Sequence, residues 1–577
     1  KEKALKNFNI AYSIDPNNSS VLSSKAAVYI ALQKPLLAVD ILKKAIQIDP
    51  FNGNAYLNLG IILKDQCLYD QAIKMFKQSI ETYKKSNYKN KAIARAYSNI
   101  GLCFISLNKF EEVKHYFLKV SEYNEDQDLA AGYLYYAKLF CGDWSDLDYY
   151  NNLILKNIKE NKKPTTPFCS FSITDEPELQ YKVAKKFSKK INNKKNFYSQ
   201  YSANVKHSKP RIAYLSYDFH DHATMHLMAG VFEKQNHDKF DYYAFSYSDR
   251  HKEHSEVYSR VKNSFKEIDI VTDKSDEEVS NMLKEKEIDI AIDLKGHTFK
   301  TRMSILSDRP CPIQISYLGH PGTSGTDYID YVIADNFIVT EDSEKYFSEK
   351  IIKLPHCYQP TDNKRYMPTK KMTKKELGLP ENKFVYCSFN SPYKIQKETF
   401  DIWLEILKSN NDSVLWLLEN ENSESKENIL NYTKENGVDP SRVIYSKRCL
   451  MNNYLDKLCS ADLFLDTYPI NAHTTASDAL WVGLPIITLA GKSLVSRVAG
   501  SLLTSINVPE LITYNHKDYK NLAIKLCDDR KLYSDIKSKI KSNKKTAPLF
   551  NTERFTKDLE NIYMELFNNY KSKNGIL

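Results

Sequence analysis

The phrase Ile14-Asp15-Pro16 returns as Ile48-Asp49-Pro50, 34 residues later, and Ala4, Ala38 and Ala72 keep the same step. A segment that repeats at this interval does not close a core from distant pieces. It stacks like units, each covering the apolar face of the next. Ala55-Tyr56 with Leu59-Gly60 reappears as Ala96-Tyr97 with Ile100-Gly101, a step of 41, so one unit carries seven extra residues near 81–91. Tyr69-Asp70-Gln71-Ala72 with Phe76 is answered by Phe110-Glu111-Glu112-Val113 with Phe117. Small residues let two helices approach closely, aromatics fill the space between units, and Pro ends the second helix.

This period and residue pattern are the tetratricopeptide signature. It predicts an α-solenoid over 1–125, whose concave face is the functional surface and whose Ala, Gly and Leu residues are packing. The chain opens inside a second helix and without an initiator Met, so further units are expected upstream. Residues 126–207 keep a helical pattern at 129–140, 149–160 and 178–191, punctuated by Pro164, Pro167 and Pro177, and read as a helical adaptor.

From Lys209 the period changes. β-rich runs at 212–216, 242–246, 288–293, 313–317 and 331–334 alternate with helical segments, which predicts a parallel doubly wound sheet. A Lys-, Pro- and Thr-rich linker over 356–373 precedes a second series at 384–388, 414–418, 443–446, 463–466 and 486–489. An amphipathic helix is expected over 552–570. The fold class is therefore α + α/β, a solenoid followed by Rossmann-like lobes over 208–365 and 366–577. Ligands bind such sheets at the carboxyl ends of their strands, here in a cleft between lobes.

Composition removes other classes. Hydrophobic residues are 42% and charged residues 27% of the 577, which excludes bulk disorder. Lys+Arg 82 against Asp+Glu 72 leaves +10, a small excess with no run of five cations, so no nucleic-acid partner is expected. The longest apolar stretch, near 479–490, is broken by Gly483 and Pro485 and falls short of the ~18–20 residues a membrane span needs. Ten scattered cysteines form no C-x-x-C pair, which suits a reducing cytoplasm.

Four loops carry chemistry. His473-Thr474-Thr475 opens a helix after a strand, and its hydroxyls and N–H groups make an anion cradle. Asp478, one turn on, could accept hydrogen bonds from sugar hydroxyls; the plainer alternative is an N-cap at Thr475 with Asp478 as its reciprocal partner. Lys394, beside Tyr393 at a strand end, could neutralise a pyrophosphate as a point charge, or be a solvated surface lysine. Asp218-Phe219-His220-Asp221-His222-Ala223-Thr224-Met225-His226 follows the first strand. His222 and His226 could imitate a metal pair, but no third ligand is evident, and strand-end histidines also suit general-base work. Asp293-Leu294-Lys295-Gly296-His297-Thr298 and Leu318-Gly319-His320-Pro321-Gly322-Thr323-Ser324-Gly325 add glycine-rich strand ends that let backbone approach a ligand.

These motifs, with Leu480-Trp481-Val482-Gly483-Leu484-Pro485, Ser496-Arg497-Val498-Ala499 and Pro548-Leu549-Phe550-Asn551, resemble the O-linked N-acetylglucosamine transferases of glycosyltransferase family 41, over essentially the whole chain. The resemblance implies a GT-B fold and inverting transfer of N-acetylglucosamine from UDP-N-acetylglucosamine to Ser or Thr hydroxyls. It implies His222 as a candidate base, with a donor phosphate oxygen as its rival. It implies Lys394 on the β-phosphate; His473, Thr474 and Thr475 around the diphosphate; Asp478 on ribose; His297 and Gly319 bordering the sugar; and Tyr393 in the donor site. No metal or other cofactor is implied, because lysine and the helix N-terminus do the neutralising. The expected partners are a UDP-sugar and protein or peptide acceptors taken through the repeat groove. A homo-oligomer could form through the repeats, and the expected location is cytoplasmic, or nucleocytoplasmic in a eukaryote.

The chain also departs from the family. Met451 and Tyr454 stand where a basic residue and a His are common, and Ser391 replaces a Gln of the animal enzymes. The large domain that animal enzymes insert between the lobes is absent. Alternatives are a GDP-fucose or UDP-glucose donor, Spindly-type enzymes sharing the Asp-Leu-x-Gly-His-Thr motif, and a repeat scaffold whose transferase region is inactive.

Overall fold

In a computed structural model the chain falls into two compact units, Lys1–Thr165 and Thr166–Leu577. The structure describes residues 2–32, 34–85, 90–189, 207–250, 253, 255–369, 372–420 and 423–573.

The first unit is a stack of antiparallel helix pairs. Ser19–Ala31 packs on Leu36–Ile48, Gly53–Asp65 on Tyr69–Lys85, and Asn90–Ser106 on Phe110–Tyr123. Small residues mark the crossings. A Cβ on Gly60 would fall 2.6 Å from the Phe76 ring, and one on Gly101 2.5 Å from that of Phe117. The extra residues near 81–91 lengthen helices: Tyr69–Lys85 and Asn90–Ser106 have 17 residues each, against 13 for Gly53–Asp65. The stretch read as one adaptor divides between the units. Ala130–Phe140 and Leu147–Lys159 continue the first, while Pro167–Ser170 and Pro177–Ser188 belong to the second. The part of the adaptor from 190 to 206 lies outside the described residues.

The second unit holds two parallel sheets. The first contains β1 (Arg211–Ser216), β2 (Asp241–Ser246), β3 (Ile268–Ile270), β4 (Ile290–Asp293), β5 (Ile313–Ser316), β6 (Tyr331–Asp335) and β7 (Lys350–Leu354), in the order β3-β2-β1-β4-β5-β6-β7. The second contains β8 (Phe384–Ser388), β9 (Ser413–Leu418), β10 (Val443–Ser446), β11 (Leu463–Leu465), β12 (Ile486–Leu489) and β13 (Ile512–Thr513), in the order β10-β9-β8-β11-β12-β13. The central strands are buried along their length, as helices on both faces require. Each sheet starts in its middle, runs outward, then returns to the other side of its first strand. The crevices at these switch points lie between β1 and β4 and between β8 and β11.

The tail helix Thr552–Lys573 follows the second lobe in sequence but packs on the first. Leu559, Tyr563 and Leu566 join the core of Tyr214, Phe232 and Tyr317, and so do Leu494 and Val498 of the second lobe. Asp335, at the end of β6, accepts hydrogen bonds from the Ser501 hydroxyl at 2.5 Å and Tyr358 N–H at 2.8 Å. Arg497 donates to the Phe337 carbonyl at 2.7 Å. Phe171, before Pro177–Ser188, stacks on His320 of the first lobe and clusters with Ile470 and Val495 of the second.

Candidate functional site

The first switch point carries a buried ion pair. Asp218 lies just beyond β1 and Lys295 just beyond β4, with Lys295 Nζ 2.6 Å from Asp218 Oδ1. The Thr224 hydroxyl donates to the other oxygen at 3.3 Å. His222 is the N-cap of the helix Ala223–Glu233. Its Nδ1 accepts the Thr224 N–H at 3.2 Å and lies 3.5 Å from Asp218 Oδ2. The hydrogen of the neutral ring therefore sits on Nε2. Burial pushes the ring's pKa below the ordinary histidine range, and Lys295 adds to this against the pull of Asp218. His226 pairs instead with Asp221 at 2.7 Å, so His222 and His226 do not converge on one point.

Glycines close the wall behind. A Cβ on Gly319 would fall 2.0 Å from the Leu294 carbonyl oxygen, and one on Gly296, at φ +54°, 2.3 Å from His320 Cβ. His297 is buried, and its Nε2 donates to the Ser324 carbonyl at 2.6 Å. Burial pushes it down to about 4. His320 is buried with Nδ1 unpartnered.

The second switch point gathers Lys394 and the cradle. The turn after β8 brings Lys394 Nζ to the Asn471 carbonyl at 2.8 Å, two residues before His473, the N-cap of the helix Thr474–Trp481. Asp466, just beyond β11, accepts from Thr488 Oγ1 at 2.6 Å, Ala472 N–H at 2.6 Å and Thr467 N–H at 2.8 Å. Burial raises its carboxyl against those bonds and the charge of Lys394, while burial lowers the Lys394 ammonium against Asp466. Burial and Lys394 together hold His473 near 3, hence neutral. Thr475 does not cap its helix. Its hydroxyl donates to Asn390 Oδ1 at 2.8 Å, and Asn390 Nδ2 donates to Thr467 Oγ1 at 3.0 Å. Nor does Asp478 close a capping box, because it is paired with Arg365, Nη1 to Oδ1 2.8 Å. The N–H groups of the helix's first turn have no intrahelical acceptor. Tyr393 packs beside Phe171, Ile470 and Val495.

The chemistry is legible in the polar atoms left over. Ser388 Oγ, Gln359 Oε1, Asn471 Oδ1, His473 Nε2 and Arg365 Nε are buried without a partner. All lie on segments around the β8/β11 switch point, where a polar ligand could satisfy them. Lys394, His473, Thr474 and Thr475 are adjacent here, with Asp478 one turn along. His222, His297 and Gly319 belong to the other lobe, and His226 there acts electrostatically on Asp478. Gln359 and Arg365 escape a sequence reading because they come from the linker and meet their partners, His473 and Asp478, 114 and 113 residues away. Lys295 and Asp218 stand in motifs already singled out, but nothing in their spacing announces the ion pair.

The profile of glycosyl transferase family 41 matches residues 179–376 and 367–559, and that of the tetratricopeptide repeat matches 52–126. The chain is 32% identical over 364 residues to the probable UDP-N-acetylglucosamine–peptide N-acetylglucosaminyltransferase SEC of Arabidopsis thaliana, 62% of this chain and 37% of that protein. It is 24% identical over 474 residues to the UDP-N-acetylglucosamine–peptide N-acetylglucosaminyltransferase of Caenorhabditis elegans, 63% of this chain and 41% of that one. It spans about two-fifths of the length of these curated relatives. An O-GlcNAc transferase mutant from Thermobaculum terrenum shares the fold, with TM-score 0.69 and 19% identity over 97% of this chain and 99% of that one.

Proposed function

The chain belongs to glycosyl transferase family 41, and on that premise we propose that it moves N-acetylglucosamine from UDP-N-acetylglucosamine to Ser or Thr hydroxyls of proteins, with inversion. The observation that carries this is the second switch point, where one lysine ammonium, a helix N-terminus and several unsatisfied polar atoms converge. That set is complementary to a nucleoside diphosphate whose charge grows as the sugar leaves. The acceptor oxygen attacks the anomeric carbon from the face opposite the diphosphate, the glycosidic bond to phosphate breaks, and UDP departs with the electron pair. Lys394 and the N–H groups of Thr474 and Thr475 neutralise it, so the reaction as drawn needs no metal.

The hydroxyl proton must also go somewhere. With Nδ1 of His222 accepting from Thr224, its Nε2 carries hydrogen and donates rather than accepts. We therefore place the base on a donor phosphate oxygen and give His222 the task of holding the acceptor oxygen or donor oxygens by hydrogen bond. The repeat unit is assigned the choice of protein acceptors, the usual work of an extended solenoid surface. Among the described residues no helix is long and apolar enough to cross a membrane.

The test is donor binding and hydrolysis across UDP-N-acetylglucosamine, UDP-glucose, UDP-N-acetylgalactosamine and GDP-fucose. Selective use of the first is expected. Preference for GDP-fucose would transfer the chain to the fucosyl branch, and binding of no donor would leave a scaffold.

A further inference from the structure

We propose that Arg365, carried by the segment joining the two lobes, is a positioning residue for donor binding that holds the Asp478 carboxylate toward the nucleotide ribose. The proposal rests on the transferase reading and adds a residue to its site. Arg365 lies between β7 and β8, far from Asp478 in sequence, yet only 10% of its side chain and 4% of that of Asp478 are exposed. Both terminal nitrogens of its guanidinium are bonded, while Nε has no partner. Nη1 donates to Asp478 Oδ1 at 2.8 Å, and Nη2 donates to the Ser477 carbonyl at 3.0 Å and hydroxyl at 3.2 Å. Its Cζ lies 4.8 Å from the centroid of the Trp481 ring and 5.9 Å from that of Phe550. Tyr454, from the helix Met451–Leu458, lies near the same carboxylate, but its buried hydroxyl makes no hydrogen bond there.

Charge balance shows why the arginine matters. A carboxylate this buried stays ionised and still only if a cation faces it. Met451 and Tyr454, on the neighbouring helix, bring none, and His226 of the first lobe acts on Asp478 only through space. The linker supplies the charge instead. An ionised carboxylate can accept from both hydroxyls of a ribose, whereas a protonated one accepts less and competes as a donor. Arginine suits the task better than lysine, because only a planar fork can bond Asp478 and Ser477 while lying against two rings. Trp481 is fixed in turn by its Nε1 donating to the Tyr366 carbonyl at 2.9 Å and by Lys544 on its own carbonyl at 2.8 Å. Arg365 thus holds the Ser477–Asp478 turn of the short helix, one turn beyond the anion cradle at its N-terminus.

The experiment measures calorimetric affinity for UDP and for UDP lacking both ribose hydroxyls. It uses wild type, Arg365→Met, Arg365→Lys, Asp478→Asn and the Arg365→Met/Asp478→Asn double variant, with thermal midpoints on the same samples. Arg365→Met should weaken UDP about tenfold to a hundredfold, the range for a lost charge-assisted hydrogen bond. It should leave the ribose-deficient analogue within about twofold, and it should add nothing in the Asp478→Asn background. Arg365→Lys should fall between wild type and Arg365→Met. Equal weakening of both nucleotides, or additive losses in the double variant, would overturn the proposal and leave Arg365 a packing residue. If Arg365→Met does not fold, the UDP-to-analogue ratio in Arg365→Lys decides: a reduced ratio supports the role and an unchanged one overturns it. Wild type binding both nucleotides alike would sink the ribose contact of Asp478 and this proposal with it while sparing the diphosphate site. Wild type binding neither would sink the transferase reading itself.

Discussion

Lys394→Met removes the lysine ammonium at the second switch point while keeping most of the apolar stem. In the structure that ammonium sits 2.8 Å from the Asn471 carbonyl, at the approach to the helix Thr474–Trp481. A unit charge about 4 Å from a phosphate oxygen, at an effective dielectric constant near 20, is worth about 4 kcal/mol. Losing one preorganised donor in acyl-transfer sites costs about 2.7–4 kcal/mol. Both routes give a fall of about 10²–10³ in kcat/KM. Stability should change little. The variant loses a hydrogen bond of about 1 kcal/mol, but it also relieves the burial that lowers the ammonium. Asp466 keeps Thr488 Oγ1 and two backbone N–H donors, and burial already favours its protonated form. The assay is label transfer from UDP-N-acetylglucosamine to a Ser/Thr peptide, with Lys397→Met as control, since Lys397 is 44% exposed and paired with Asp401. A folded Lys394→Met variant with turnover within about tenfold of wild type would refute the reasoning. The same ammonium gives the proposed transfer a pH limb. Its folded pKa lies below the ordinary lysine value, so it loses charge as pH rises, before a free lysine would. Donor KM should therefore climb on the alkaline side below pH ~10, the ordinary lysine range, and that limb should vanish in Lys394→Met.

Three further outcomes are expected. Gly319→Ala should lower the melting temperature of the second unit, because its Cβ would meet the Leu294 carbonyl at 2.0 Å and Lys295 Cα at 2.9 Å, backbone that cannot rotate away; overpacking of this kind costs about 1–3 kcal/mol or more, and an unchanged melting curve would contradict it. Gly101→Ala should loosen the repeats by a similar amount, through a 2.5 Å approach to the Phe117 ring, and hydrogen exchange should place the loss within 1–165 while UDP affinity stays level. Removing residues 1–165, which end at the boundary of the first compact unit, should reduce transfer to proteins more than to short peptides; equal losses on both acceptors would count against acceptor choice by the repeats.

Features that repeat or alternate locally could be read from the order of residues alone. The 34-residue step required stacked helix pairs, since each unit's small and aromatic residues have a partner only in the next. The central strands were legible for the same reason. Runs such as 384–388 and 486–489 are mostly apolar and buried at every position, as strands covered on both faces must be. Three of the four edge strands, β3, β7 and β13, were not: β3 and β13 span only three and two residues, and β7, five residues long, is fully buried only at Leu354. Lys394 and the His473–Thr475 turn could be picked out beforehand because a strand end followed by a helix start is a local event.

Tertiary structure decided the pairings. Nothing in Thr552–Lys573 says that it leaves its own lobe to cover the Tyr214 core, because amphipathic faces specify burial and not a partner. A capping box was a fair reading of Thr475 and Asp478, yet Asn390 and Arg365 compete for them from 85 and 113 residues away. Such contacts form only once the sheets bring distant strand ends together, so the charges that aim this site are properties of the folded chain and not of any one segment.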